Sequence, residues 1–197
     1  MSSAPPLALV LASSSPYRKA LLTRLRLDFV TAVPDIDEAA VAGESAPALA
    51  LRLAIGKANA VAAQHPKALI IGSDQVAMNG AEQLHKPGCH ANARSQLAAM
   101  SGRHIHFFTG LCLLNSQTGR HQAAVVPVEV KMRTLDAAAI ERYLAAERPY
   151  DCAGSARIEA FGITLVEKLC GDDPNALIGL PLIELCTMLR NEGVELP

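Results

Sequence analysis

The chain has 197 residues, 50% of them hydrophobic, which is enough for one domain with a sizeable core. Its formal net charge is -1, from 18 basic and 19 acidic side chains, so no global field draws it to nucleic acid or to an anionic membrane. With no Trp, three Tyr and four Phe, it lacks the aromatic supply of a single-strand-binding platform. From the N-terminus, residues 7–12 (LALVLA) form an apolar run of strand length. Ser13, Ser14 and Ser15 make a loop, and Pro16 opens an amphipathic helix carrying Leu21, Leu22 and Leu25. Proline suits a first helical turn because its missing N–H would have no partner there. A strand–loop–helix turn of this kind aims free N–H groups and the positive end of a helix at one point, which favours an anion. Arg18 and Lys19 oppose the helix dipole in that turn unless an anion sits there, and this local conflict marks a site. The alternative is a capped surface helix with two solvated bases.

Residues 29–33 predict a second strand, followed by the acidic loop Asp35-Ile36-Asp37-Glu38. Ser45 and Pro47 announce a helix to residue 64, with Leu49, Leu53, Ala54, Ala58 and Val61 on one face. Residues 68–72 (ALIIG) predict a buried strand with Ser73-Asp74-Gln75 at its end. Residues 79–90 read as a loop containing Gly80, Lys86, Pro87 and Gly88, and residues 92–100 as a helix stopped by Ser101-Gly102. A hairpin follows: one arm over 105–114, a turn over 115–119, and a return arm with Val126, Val128, Val130 and Met132 alternating against Glu129, Lys131 and Arg133. Residues 136–147 predict an Ala-rich helix, 148–162 an irregular stretch and 163–169 a further strand. Leu182, Leu185, Cys186 and Leu189 recur with the helical period, so a last helix packs on the core. No repeat, linker or low-complexity stretch interrupts this order, and residues 1–197 are expected to form one α/β domain on a mixed sheet. The five cysteines are odd in number and lack C-x-x-C spacing, which speaks against a disulfide framework or a zinc site and for a reducing cytosol. No basic segment precedes a long apolar core, and no apolar run approaches the roughly 18 residues of a membrane span, so neither a signal peptide nor a membrane segment is expected.

Few residues offer chemistry. Asp74 directly follows a buried strand, where open α/β sheets place ligands, and it could hold a hard divalent cation or deprotonate water. The competing role is a cap on the next turn. Glu38 ends its acidic run as either a metal ligand or a solvated loop residue. Lys57 lies mid-helix, where a lysine ordinarily snorkels, and Lys86 sits in a Gly-bearing loop from which a mobile cation can reach a phosphate. The histidines show no H-x-x-H or H-E-x-x-H spacing, and the P-loop, α/β-hydrolase and Rossmann signatures are missing from the sequence. One anion-binding turn, several separated cations and two carboxylates are what metal-assisted attack on a phosphate chain requires. The residues alone reach a nucleotide or phosphate-ester enzyme and no further.

LASSSPYRKALL, DIDE, GKA, IIGSDQV, HKP, CAGS and FGITL, in that order from Leu7 to Leu189, together resemble the Maf-like nucleotide pyrophosphatases. The resemblance implies a mixed, twisted α/β sheet flanked by helices, with two lobes around a cleft, similar to the inosine triphosphate pyrophosphatases. It implies hydrolysis of a nucleoside triphosphate to monophosphate and pyrophosphate, aided by Mg²⁺ or Mn²⁺, in a cytoplasmic and often dimeric protein. Asp74 matches the family's general base and, with Glu38, the metal-side carboxylates. Ser13, Arg18, Lys57 and Lys86 match its phosphate- and substrate-binding positions. Two departures stand out: Lys19 replaces a second arginine and keeps the charge without the bidentate fork, and His85 replaces a glycine before the Lys-Pro pair, where positive φ becomes unfavourable. Tyr17, Gln75 and Glu159 fall at positions that are typically Arg, Thr and Gln in the dTTP/UTP branch, and they resemble the branch acting on 7-methyl-GTP. N7 methylation makes the base cationic; an aromatic face attracts it, and a carboxylate accepts from the guanine N1–H and N2–H₂. Core packing of Tyr17 and a solvated Glu159 are the plainer alternatives. A nucleotide-binding regulator of cell division with incidental turnover is the competing function, and the pair Asp74 and Glu38 favours the enzyme.

Overall fold

The five residues of β1 (Ala8–Ala12) feed two cores at once. Leu9 and Leu11 join Leu21 and Leu22 of α1 (Pro16–Thr23) and Leu182, Leu185 and Leu189 of α5 (Leu182–Asn191) on one face of the sheet. Val10 and Ala12 point the other way, onto Ala54 and Ala58 of α2 (Ala46–Ala60). The two-residue period of a strand forces this division. β3 (Ala68–Asn79) and β5 (His104–Asn115) repeat it, with Leu69, Ile71, Leu111 and Leu113 on the α1/α5 side and Ala68, Ile70, Cys112 and Leu114 on the α2 side. The structure is a computed structural model, which describes residues 7–197.

Among the described residues the sheet has seven strands in the order β2-β1-β3-β5-β6-β7, with β4 (Glu82–Leu84) paired to β3 off that path. β1 runs parallel to β2 (Phe29–Ala32) and to β3, whereas β5, β6 (Arg120–Met132) and β7 (Val166–Cys170) continue antiparallel, so the sheet is mixed. Helices flank it. The long strands leave these two cores and enter another, where α3 (His90–Met100) and α4 (Ala137–Glu147) set Leu97, Met100, Ile140 and Tyr143 against Ile105, Phe107, Val130 and Met132. The result is two lobes on one sheet. β1 ends at Ala12 opposite Gly72, and β4 begins its pairing at Ala77, so among the described residues no strand pairs with 73–76 of β3 on that edge. The cleft opens at this gap.

α2 lies close on the sheet because two strand glycines admit it. A Cβ at Gly72 would fall 2.1 Å from the Ala54 carbonyl oxygen, and one at Gly110 would fall 2.1 Å from that of Ala50. Four boundaries differ from the sequence expectation. β3 continues through Ser73-Asp74-Gln75 because β5 pairs with it from Leu69↔Asn115 to Asn79↔Ile105, so Asp74 is mid-strand rather than past the strand's end. The expected loop at 79–90 contains β4, drawn in by pairing with residues 77–79. The long helix stops at Ala60 and only a short 3-10 turn (Ala62–Gln64) follows. Residues 161–165 form a 3-10 turn ahead of β7, because the Gly162 amide bonds back to the Arg157 carbonyl at 2.9 Å. Among the described residues no helix is long and apolar enough to cross a membrane.

Candidate active site

A cleft of about 680 Å³ between the lobes is lined by Ser13, Tyr17, Arg18, Glu38, Lys57, Asp74, Gln75 and Lys86. A smaller cavity adjoins it, sharing Tyr17 and Gln75 and adding Glu159. The cleft and its side cavity together thus bring Ser13, Tyr17, Arg18, Glu38, Lys57, Asp74, Gln75, Lys86 and Glu159 into one region. Lys19, which keeps a positive charge without a bidentate fork, lines a separate surface groove beside β2.

Asp74 projects from the uncovered edge segment of β3 and is buried. α2 brings Lys57 to it: the ammonium donates to Asp74 Oδ1 and lies 2.7 Å from Glu38 Oε1. Lys57 does not snorkel to solvent; its side chain is 8% exposed, whereas that of Glu38 is 60% exposed at the cleft mouth. Burying an ammonium is costly without a partner, and here two carboxylates converge on it. Asp74 Oδ2 makes no hydrogen bond or ion pair among the described residues and remains available on the cleft side.

The serine loop is tied more tightly than the sequence suggests. Ser13 Oγ accepts from the Ser15 amide at 3.1 Å, and Ser15 Oγ caps α1 by accepting from the Arg18 amide at 3.3 Å. Two N–H groups expected to face an anion are thus taken by neighbouring hydroxyls, which compete for exposed amides at helix starts. Arg18 is anchored as well: its Nε donates to the Gly179 carbonyl at 2.7 Å. Burial pulls its guanidinium below the usual arginine range, and the nearby Asp74 and Glu38 charges oppose that pull. The positive charge at the helix start is therefore carried by an anchored side chain inside the cleft. Lys86 is exposed on the opposite lip and forms no ion pair among the described residues. His85 keeps an ordinary negative φ; the left-handed residue of this loop is Gly88, at φ 69°, so the Lys-Pro pair does not depend on glycine before it.

At the side cavity, the Gln75 amide nitrogen donates to the carbonyls of Ala176 (2.8 Å) and Leu177 (3.0 Å) and approaches Thr109 Oγ1 at 3.1 Å. Its N–H groups are committed to the protein, which leaves its carbonyl oxygen for a ligand. Tyr17 donates its hydroxyl to Asp151 Oδ2 at 2.9 Å, and the Arg157 guanidinium lies over its ring, 5.5 Å from the centroid. Burial and the Asp151 bond push the Tyr17 phenol up to about 12. Glu159 is exposed at the rim of this cavity, where partial desolvation still raises its carboxyl, with Arg157 pulling the other way. Sequence reasoning missed Asp151, Arg157 and the carbonyls of residues 176–179. The left-handed Gly179 (φ 112°), following Asn175, was the one local sign of a backbone turned toward the site.

The donor set fits a hard divalent cation in one way. No group of three or more His, Cys, Asp or Glu among the described residues could hold a metal alone. Asp74 and Glu38 already converge on one cation, the Lys57 ammonium, and Mg²⁺ characteristically takes one or two carboxylates and completes its shell with substrate phosphates and water.

The profile of the family described as Maf-like protein matches residues 8–192. A 7-methyl-GTP pyrophosphatase of Cupriavidus pinatubonensis is 54% identical over 193 residues, covering 98% of this chain and 97% of that protein. One of Pseudomonas fluorescens Pf-5 is 56% identical over 191 residues, covering 97% of this chain and 100% of its own. One of Pseudomonas aeruginosa is 53% identical over 189 residues, covering 96% and 98%. Among solved structures, the Staphylococcus aureus Ham1 protein aligns with a TM-score of 0.45 at 16% identity, over 64% of this chain and 71% of that one. With the family profile spanning both lobes and the cleft, the chain belongs to the Maf-like proteins.

Proposed function

We propose that this pyrophosphatase acts on 7-methyl-GTP, releasing pyrophosphate and leaving the methylated nucleoside monophosphate. The observation that carries the reading is the junction of two sites. A cleft with anchored cations and paired carboxylates opens directly onto a cavity edged by an aromatic ring, an amide and a carboxylate. Near-full-length relatives bearing that activity in their names support it.

Arg18, Lys86 and the Ser13 loop receive the phosphate chain. Asp74 Oδ2 accepts a proton from water as the water oxygen bonds to the α-phosphorus. The bond from that phosphorus to the bridging oxygen breaks, and pyrophosphate departs with the electron pair. Lys57 fixes the Asp74 carboxylate through Oδ1 and links it to Glu38. Asp74 and Glu38 would hold a divalent cation, which would supply charge neutralisation on the phosphates when bound. The base enters the side cavity, where Glu159 accepts from the purine edge and the Tyr17 ring meets the cationic imidazolium. The Arg157 guanidinium already uses that ring as a cation does. The cytoplasm is the proposed compartment, and a homodimer is the proposed assembly; neither enters the chemistry. A regulator that only binds nucleotide would have no need of the Asp74 arrangement, and turnover tests it directly.

Glu159→Gln tests the base assignment. Glutamine keeps the shape and loses the charge, so the ratio of kcat/KM for 7-methyl-GTP to that for GTP should fall by severalfold, with GTP, which offers the same donors without the positive charge, losing less. An unchanged ratio would remove Glu159 from base recognition.

A further inference from the structure

We propose that Gln96 is a positioning residue that holds Lys86 at the cleft by tying its loop to the buried turn at Ser155, a role that rests on Lys86 being a phosphate ligand. Lys86 is exposed, so the lie of its loop sets where its ammonium can reach. Three hydrogen bonds fix that loop. Asn92 Nδ2 donates to the Pro87 carbonyl at 2.9 Å, the Gly88 amide donates to the Tyr150 carbonyl at 3.0 Å, and Gln96 Nε2 donates to the His85 carbonyl at 2.9 Å. The bonds from Asn92 and Gln96 bracket Lys86, one on each neighbouring carbonyl.

Gln96 differs from Asn92 in what orients it. Its Oε1 accepts from Ser155 Oγ at 2.6 Å, so its amide nitrogen must face the His85 carbonyl. Ser155 is fully buried and has a φ of 56°, a left-handed backbone that a non-glycine residue holds only when its surroundings fix it. The same short turn begins beside Cys152 and Ala153, which line both the cleft and the side cavity. The chain of contacts therefore runs from the wall of the base cavity, through Ser155 and Gln96, to the carbonyl preceding Lys86. Gln96 does not line either cavity and so acts on substrate only through that loop. The HKP and CAGS segments, distant in sequence, are joined by this one amide.

A double-mutant cycle tests the assignment. Gln96→Leu, Lys86→Ala and the double variant are assayed for kcat/KM on whichever nucleotide the wild-type protein uses best, so base preference does not enter. Leucine suits a helix and removes both hydrogen bonds. A slip of about 1 Å in a positioned group can cost about 100-fold, and with Asn92 still holding the loop we expect a loss of about tenfold from Gln96→Leu. In the Lys86→Ala background the same change should cost less than about twofold, because its target is gone. An equal loss in both backgrounds overturns the inference and makes Gln96 a merely structural residue. A Lys86→Ala variant with wild-type turnover fails the phosphate reading of Lys86 and the inference with it, a result distinct from additivity. If Gln96→Leu does not fold, Gln96→Glu takes its place: it keeps an acceptor for Ser155 and sets an oxygen against the His85 carbonyl, and the same non-additivity is required of it.

Discussion

The seat of α2 on the sheet makes a pair of glycine substitutions opposite in sign. At Gly72 the added Cβ would lie 2.1 Å from the Ala54 carbonyl oxygen, 2.8 Å from the Ala58 nitrogen and 3.1 Å from the Ala58 Cβ. All three are helix atoms without rotamer freedom, so α2 must retreat by about 1 Å or the strand must bend. Overpacking of this kind typically costs 1–3 kcal/mol, and contact with backbone puts Gly72→Ala at about 3 kcal/mol. For a chain of this size that is a Tm loss of about 6–12 °C. Lys57 rides on the same helix one turn from Ala54, so the retreat also draws its ammonium away from Asp74, and kcat should fall by about tenfold or more. Gly56, adjacent to Lys57 on α2, is the control. Its Cβ would meet only the Ile36 Cδ1 at 3.5 Å, an ordinary contact, while alanine gains about 1 kcal/mol of helix propensity. Gly56→Ala should raise Tm by about 2–4 °C. Calorimetric melts and steady-state pyrophosphate release on both variants check this. A Gly72→Ala protein with wild-type Tm and turnover would refute the packing that places Lys57.

Two further outcomes concern the cleft. Asp74→Asn should lose about 10²–10⁴-fold in kcat while still binding nucleotide in a titration, since general-base removal typically has that effect; retention of half the wild-type kcat would end its assignment as base. Activity should disappear in excess EDTA and return with Mg²⁺ or Mn²⁺, because Asp74 and Glu38 offer oxygen donors suited to hard cations; full turnover in the chelator would show that the Lys57 bridge alone organises these carboxylates.

Much of the fold was written in local pattern. The alternation of Leu9, Val10 and Leu11 and the helical spacing of Leu182, Leu185 and Leu189 each follow from one element's own period, and each packs as expected. Asp74 was harder. Its polar neighbours Ser73 and Gln75 read as a strand ending, but Ser73 Oγ is satisfied by the Gly110 and Gly179 carbonyls and Gln75 by residues 176–177, all distant in sequence. Polar residues can sit inside a buried strand when tertiary partners pair them, and those partners cannot be read locally. Lys57 shows the same limit: the sequence gives a lysine on a helix, and only the fold brings two carboxylates to it. Tyr17 was legible as an aromatic at the site, but its partners Asp151 and Arg157 come from an irregular stretch with no period to reveal them.

The identity of the base is tested most directly by a nucleotide panel. Steady-state kcat/KM is measured by pyrophosphate release for 7-methyl-GTP, GTP, UTP and dTTP on the wild-type protein with Mg²⁺. A cation–π gain of about 0.5–2 kcal/mol predicts a preference for 7-methyl-GTP over GTP of a few-fold to roughly 30-fold, with UTP and dTTP below it. A protein that favours UTP or dTTP would contradict the roles given to Tyr17, Gln75 and Glu159.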